Sequence, residues 1–181
     1  MKKTFSTSYT STAKYFHWGM GLLIICMLCI GLYMASLPLG PDKLKLIGIH
    51  KSIGAILLVL VVLRLLWRLS HAVPELPADL GKIYHLGARA AHYTLYALMF
   101  AMPLSGWGMS SAAGFPVSVF GWFTLPNLVA PDKELRKLLG ETHEWLAYAL
   151  IALLVLHVAA ALWHHFAHKD DVLRRMWFIK A

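Results

Sequence analysis

Long apolar stretches alternate with short breaks that carry proline, glycine and charge. Four stretches stand out, near Tyr15–Ser36, Ile47–Leu69, Tyr84–Met109 and Gly140–Phe166. Each reaches the ~20 residues that a helix needs to cross a ~30 Å hydrocarbon core. Lipid offers no partner for backbone N–H and C=O groups, so each stretch is expected to be a helix. The breaks agree with this reading. Leu37-Pro38-Leu39-Gly40-Pro41 ends the first stretch, and Val73-Pro74-Glu75-Leu76-Pro77 separates the second from the third. A longer connection, roughly Ser110–Leu139, holds the aromatic piece Phe120-Gly121-Trp122-Phe123 and reads as an interfacial loop. The expected fold is an all-α membrane protein, a four-transmembrane-helix bundle forming one domain over residues 1–181.

Composition supports the lipid-facing surface. Hydrophobic residues make up 59% of the 181 and charged residues 14%, against roughly 45–50% and about a quarter in soluble domains. Mean hydropathy is +0.61. Cys26 and Cys29 lie in an apolar run, where they read as small hydrophobes. The first apolar stretch is long and lacks a small-residue cleavage site, so it reads as an uncleaved helix.

Charge then sets the expected orientation. With four spans, the first end, the second-to-third loop and the last end share one side. Eleven Lys/Arg fall there: Lys2, Lys3, Lys14, Arg64, Arg68, Lys82, Arg89, Lys169, Arg174, Arg175 and Lys180. Six fall on the other: Lys43, Lys45, Lys51, Lys133, Arg136 and Lys137. The positive-inside rule puts both termini in the cytoplasm. The net charge of +8 is thus a topology signal, and no nucleic-acid partner is expected. Tyr15, Trp18, Trp67, Tyr84, Trp107, Trp145 and Trp163 fall near expected interfaces and form an aromatic belt.

The candidate chemistry lies in ten histidines. Ionisable groups inside a membrane are costly and mark functional sites. His143 and His157 are 14 residues apart on the fourth helix. That step returns to within about 40° of one face and separates them by about 21 Å. His17 starts the first helix at the depth of His157, and His50 starts the second at the depth of His143. Two pairs result, His17 with His157 and His50 with His143. Such pairs suit haem b, which takes one neutral imidazole on each face. Gly21 and Gly54, each four residues after its histidine, would let a macrocycle approach. A lone histidine can equally bond a neighbouring helix. Zinc would need ligands converging at one point, and these lie at two depths. His85 and His92 share a face of the third helix; they are the rival ligands at the cytoplasmic end, His92 especially, but are expected to line the haem pocket or bond a propionate or carbonyl. His164, seven residues past His157, suits a group at the haem edge or a quinone head group. His165 and His168 read as interfacial and His71 as a loop residue.

Taken in order, these segments resemble the bacterial cytochrome b561 family, related to the cytochrome b subunits of nickel-iron hydrogenases and formate dehydrogenases. The resemblance rests on Lys14-Tyr15-Phe16-His17-Trp18, His50-Lys51-Ser52-Ile53-Gly54 and Val62-Leu63-Arg64-Leu65-Leu66-Trp67-Arg68. It continues through Ala91-His92-Tyr93-Thr94-Leu95-Tyr96, Met102-Pro103-Leu104-Ser105-Gly106-Trp107, His143-Glu144, Leu156-His157 and His164-His165. It implies two haems b in the bacterial inner membrane. The motif positions make His17 and His157 ligands of the cytoplasmic-side iron, and His50 and His143 ligands of the periplasmic-side iron. The position of His92 is not an axial ligand in the family.

The resemblance further implies electron exchange with quinone, ubiquinone or another. A superoxide:ubiquinone oxidoreductase is the leading activity, with superoxide or another periplasmic donor at the outer face. His164 matches a quinone-site histidine. Tyr9-Thr10-Ser11 lacks an arginine that many members carry. Lys43, Lys45, Lys51, Lys133, Arg136 and Lys137 would steer an anionic donor, or serve as ordinary interfacial cations. Arg64, Arg68 and Arg89 would pair with propionates or merely anchor helix ends. Two other classes stand beside this one. The first is a membrane-anchor cytochrome b subunit passing electrons between a partner oxidoreductase and the quinone pool. The second is a small transporter relaying protons through histidine.

Overall fold

The computed structural model describes residues 8–75, 77 and 80–178; Lys2, Lys3 and Lys180 of the charge argument lie outside them. Four long helices dominate: α1 Ser11–Ser36, α2 Pro41–Ser70, α3 Lys82–Ala112 and α4 Lys133–Trp163. Each starts before its apolar stretch, while α4 ends at Trp163, short of Phe166. The extra turns are written in capping residues rather than in hydropathy. The Thr10 side chain accepts from the Ala13 N–H at the start of α1. Pro41, with its fixed φ, opens α2. The Asp132 side chain accepts from the Leu135 N–H at 2.8 Å and starts α4 seven residues before Gly140.

Among the described residues, three helices are long and apolar enough to cross a membrane: α1, α2 and the continuous stretch Lys133–His168. The third helix has 31 residues but falls outside this group. It packs along both α2 and α4, and its C-terminal half buries Ser105, Gly108, Ser110 and Ser111 inside the protein. These buried serines contribute to its lower hydropathy, while Tyr84 and Tyr93 nearer its start are exposed.

The connection after α3 is more ordered than an interfacial loop. It forms a short hairpin, β1 Ser118–Val119 with β2 Phe123–Thr124. Phe120 (φ 50°) and Gly121 (φ 78°) make the turn, where the left-handed backbone suits glycine far better than phenylalanine. Val117 and Val119 are buried, and Ser52 of α2 anchors the hairpin. Its Oγ lies 2.9 Å from the Ser118 carbonyl and accepts from the Phe120 N–H at 3.1 Å. Replacing Ser52 by alanine strands these buried groups, a cost of about 1–3 kcal/mol. The expected result is a lower thermal unfolding midpoint in detergent for Ser52→Ala.

Beyond α4 the helix widens into a π-helical turn, His164–His168, and a short 3-10 turn, Arg174–Met176, follows. This last segment folds back on the start of α1. The Trp18 indole N–H donates to the Met176 carbonyl at 2.9 Å, and the Lys14 ammonium donates to the Trp177 carbonyl at 2.8 Å. The start of α1 and the end of α4 therefore share one end of the bundle.

Candidate functional site

Neighbours in sequence pack as neighbours in space: α1 on α2, α2 on α3, α3 on α4. The fourth helix makes few or no close backbone approaches to α1 and α2. Histidine rings bridge that gap at two levels. The His50 and His143 ring centres are 6.3 Å apart. Those of His17 and His157 are 5.9 Å apart. The structure thus brings together both pairs expected from depth. It also brings His92 to 5.7 Å from His157, so three rings converge at that end.

The spacing can be tested against haem. An imidazole nitrogen sits about 2 Å from a metal it ligates, so two imidazoles on opposite faces of one metal have ring centres roughly 6 Å apart. Both pairs match. A flat macrocycle between two rings also needs free space on both flanks. At the His50–His143 pair, labelled the outer level with that of His17 and His157 the inner, a cavity of about 70 Å³ lies toward the middle of the bundle, lined by Met20, Met27, Val61 and Leu150. A cleft of about 910 Å³ opens outward beside Lys51, Lys133 and Arg136. His50, His143, Gly54 and Pro103 line both. The His50 Nδ1 is buried with no hydrogen-bond partner among the described residues, a cost that a bound group would relieve. The residues fit the group.

Two glycines that depth reasoning missed shape the outer pair. A Cβ on Gly106 would stand 3.1 Å from His143 Cε1, and one on Gly31 3.5 Å from His50 Cε1. The signal for Gly31 was present: it follows His17 by 14 residues, the same step that separates His143 from His157. Gly21 faces open space, and a Cβ on Gly54 meets only Met27 Cε at 4.0 Å.

At the inner end the Arg64 Nη2 donates to His17 Nδ1 at 2.9 Å. A guanidinium only donates, so in this arrangement the His17 ring proton stands on Nε2. Metal ligation through Nε2 requires Arg64 to release the ring. Its guanidinium already lies 5.7 Å from the centre of the Tyr96 ring, as does that of Arg68. Of the outer cations, Lys51 donates to Ser110 Oγ and to the Pro116 carbonyl, both at 3.0 Å. Lys43 is turned away to the Leu37 carbonyl.

His164 opens the π-helical turn, a feature common at functional sites. Its Nδ1 lies 2.5 Å from the Asp170 carboxylate, and the His168 ring stacks on it at 6.0 Å. His168 thus belongs to this cluster rather than to the bare interface. Partial burial works to raise the Asp170 carboxyl, but hydrogen bonds from His164 and the Val172 N–H outweigh it and hold the group below the usual carboxylate range.

Comparison with known proteins gives the same direction. A family model described as prokaryotic cytochrome b561 matches residues 8–178. The chain is 40% identical over 169 residues to "Cytochrome b561 homolog 2" of Escherichia coli (strain K12), covering 93% of this chain and 90% of the relative. It is 28% identical over 170 residues to "Cytochrome b561 homolog 1" of the same organism, covering 93% and 96%. It is 33% identical over 129 residues to "Probable superoxide oxidase CybB" of Yersinia pestis, covering 71% and 72%.

Proposed function

Since the chain belongs to the prokaryotic cytochrome b561 family, a family of bacterial membrane cytochromes that carry b-type haem and transfer electrons, we propose that it is a four-span, di-haem member exchanging electrons between a donor at the periplasmic face and quinone. One observation carries this reading: α4 presents two histidines at two depths, each facing a partner ring at about 6 Å across a gap that backbone does not fill. His50 and His143 would hold the periplasmic-side iron, and His17 and His157 the cytoplasmic-side iron. Bound haem supplies one-electron chemistry. The third helix would complete the four spans, a reading supported by its length of 31 residues and the burial of Ser105, Ser110 and Ser111. The excess of Lys/Arg around both ends of the chain supports a cytoplasmic location for those ends.

The chain's own residues suit the two ends to different partners. Lys51, Lys133 and Arg136 line the outer cleft beside His50 and His143, with Asp132 the one carboxylate there. This positive mouth favours a small anionic donor. Superoxide fits, and the resemblance to a protein named as a probable superoxide oxidase supports that choice. Each of two superoxide anions gives up one electron and leaves as dioxygen; quinone takes both electrons and two protons to become quinol. At the inner end Asp170 holds His164 through Nδ1. Nε2 is then the nitrogen left to exchange a proton with a quinone oxygen.

Haem content and rapid mixing test the reading together. The purified protein is expected to carry two haems b per chain by pyridine hemochrome. Mixing with superoxide is expected to reduce them faster than superoxide dismutates. Slower reduction would end the superoxide reading, and a protein purified without haem would end the cytochrome reading. His164→Ala is expected to slow quinone reduction by roughly 100-fold, the scale of a lost proton-transfer group. Asp170→Asn should slow it less, and both variants should keep the haem spectrum. A spectrum that changes with either variant would place His164 at the haem instead.

A further inference from the structure

The inner and outer histidines are held differently, and the difference lies in the proton of one ring. His143 Nδ1 is 2.9 Å from the Oγ of Ser105 on α3. That Oγ is also 2.8 Å from the Met102 carbonyl. A serine hydroxyl has one proton, and a carbonyl can only accept. The Ser105 proton therefore goes to Met102, leaving an oxygen lone pair toward His143. With that lone pair before it, Nδ1 carries the ring proton. The lone pair then stands on Nε2.

Ser105 is 8% exposed, so water does not replace this bond. The next residue adds a steric stop. Gly106 lies against the ring so closely that its missing Cβ would be 3.1 Å from Cε1 and 3.4 Å from Nδ1. A hydroxyl on one residue and a bare backbone on the next form a cradle for the imidazole. The opposing ring has no such support, since His50 Nδ1 is buried without a partner among the described residues.

We propose that Ser105 is a positioning residue for His143: it fixes the ring's tautomer and strengthens the Nε2 donor offered to the periplasmic-side iron. The proposal rests on the reading of His143 as an axial ligand. An acceptor on the far N–H makes a ligating imidazole more basic. A more basic ligand favours ferric over ferrous iron and so lowers the potential of the haem it holds. The outer haem is thereby kept the lower in potential relative to the same pair without Ser105.

Redox titration of purified holoprotein tests this, with the outer component identified as the one that His143→Ala removes. Ser105→Ala is expected to keep two haems, move the outer midpoint upward and leave the inner one in place. Ser105→Thr keeps the hydroxyl and is expected to restore the wild-type midpoint. Loss of the outer haem in Ser105→Ala with its retention in Ser105→Thr supports the same role more strongly. The proposal is overturned if neither midpoint moves in Ser105→Ala, or if alanine and threonine shift both haems alike, which would mark a packing role. A wild-type protein without haem overturns the ligand reading together with it.

Discussion

His143→Ala is expected to leave the protein with one haem where the wild type has two. Alanine offers iron no nitrogen, and no other described histidine has its ring paired with that of His50 at this level. The outer cavity and cleft would then enclose a group held on one side only. The inner pair sits some four turns of α4 away and keeps its own rings. Pyridine hemochrome on the purified variant should therefore read half the wild-type haem per chain, with circular dichroism unchanged. Two haems in His143→Ala would mean that the outer ring pair is not a ligand pair. No haem at all, in a protein that stays helical, would mean that the two levels are not independent.

His17→Ala should likewise remove one haem, whereas His92→Ala should keep both. This pair of variants decides the crowded inner end. His17 and His92 lie 5.9 and 5.7 Å from His157, so distance alone does not choose between them. Topology chooses His17. It comes from α1, across the gap that α4 leaves open, just as His50 comes from α2. His92 comes from α3, which packs directly on α4 and leaves little width for a macrocycle between the helices. A difference spectrum that loses one b-type component in His17→Ala and none in His92→Ala is the expected outcome. The reverse result would exchange the two assignments, and it would make the Arg64–His17 hydrogen bond a permanent feature of the inner end rather than one released on ligation.

Much of the architecture was legible along the chain. Apolar runs located all four long helices, because a lipid-crossing helix must be apolar over a length set by the bilayer. Hydropathy alone put the helix starts too far inward, since helix formation extends beyond an apolar run wherever a cap is available. Thr10, Pro41 and Asp132 mark those starts in the sequence itself. The hydropathy of α3 falls below that of the other three for a different reason: Ser105, Ser110 and Ser111 lower it, and all three are buried inside the protein. The aromatic Phe120–Phe123 segment showed no period that would reveal a hairpin. Its docking depends on Ser52, which lies 66 residues from the Ser118 carbonyl it meets.

The same division runs through the site. The depth of each histidine follows from its place in a helix of known rise, so the pairing of His17 with His157 and of His50 with His143 could be read from sequence. The sequence by itself determined which elements form, at what level each ring sits and which end of the bundle the chain's two ends share. Only the tertiary structure decided what each ring nitrogen meets. Ser105 reaches His143 across 38 residues and Arg64 reaches His17 across 47. Those contacts depend on how each helix is rotated about its axis and how closely it packs. Rise along a helix is a local property of the backbone, whereas rotation and packing emerge from all the helices together.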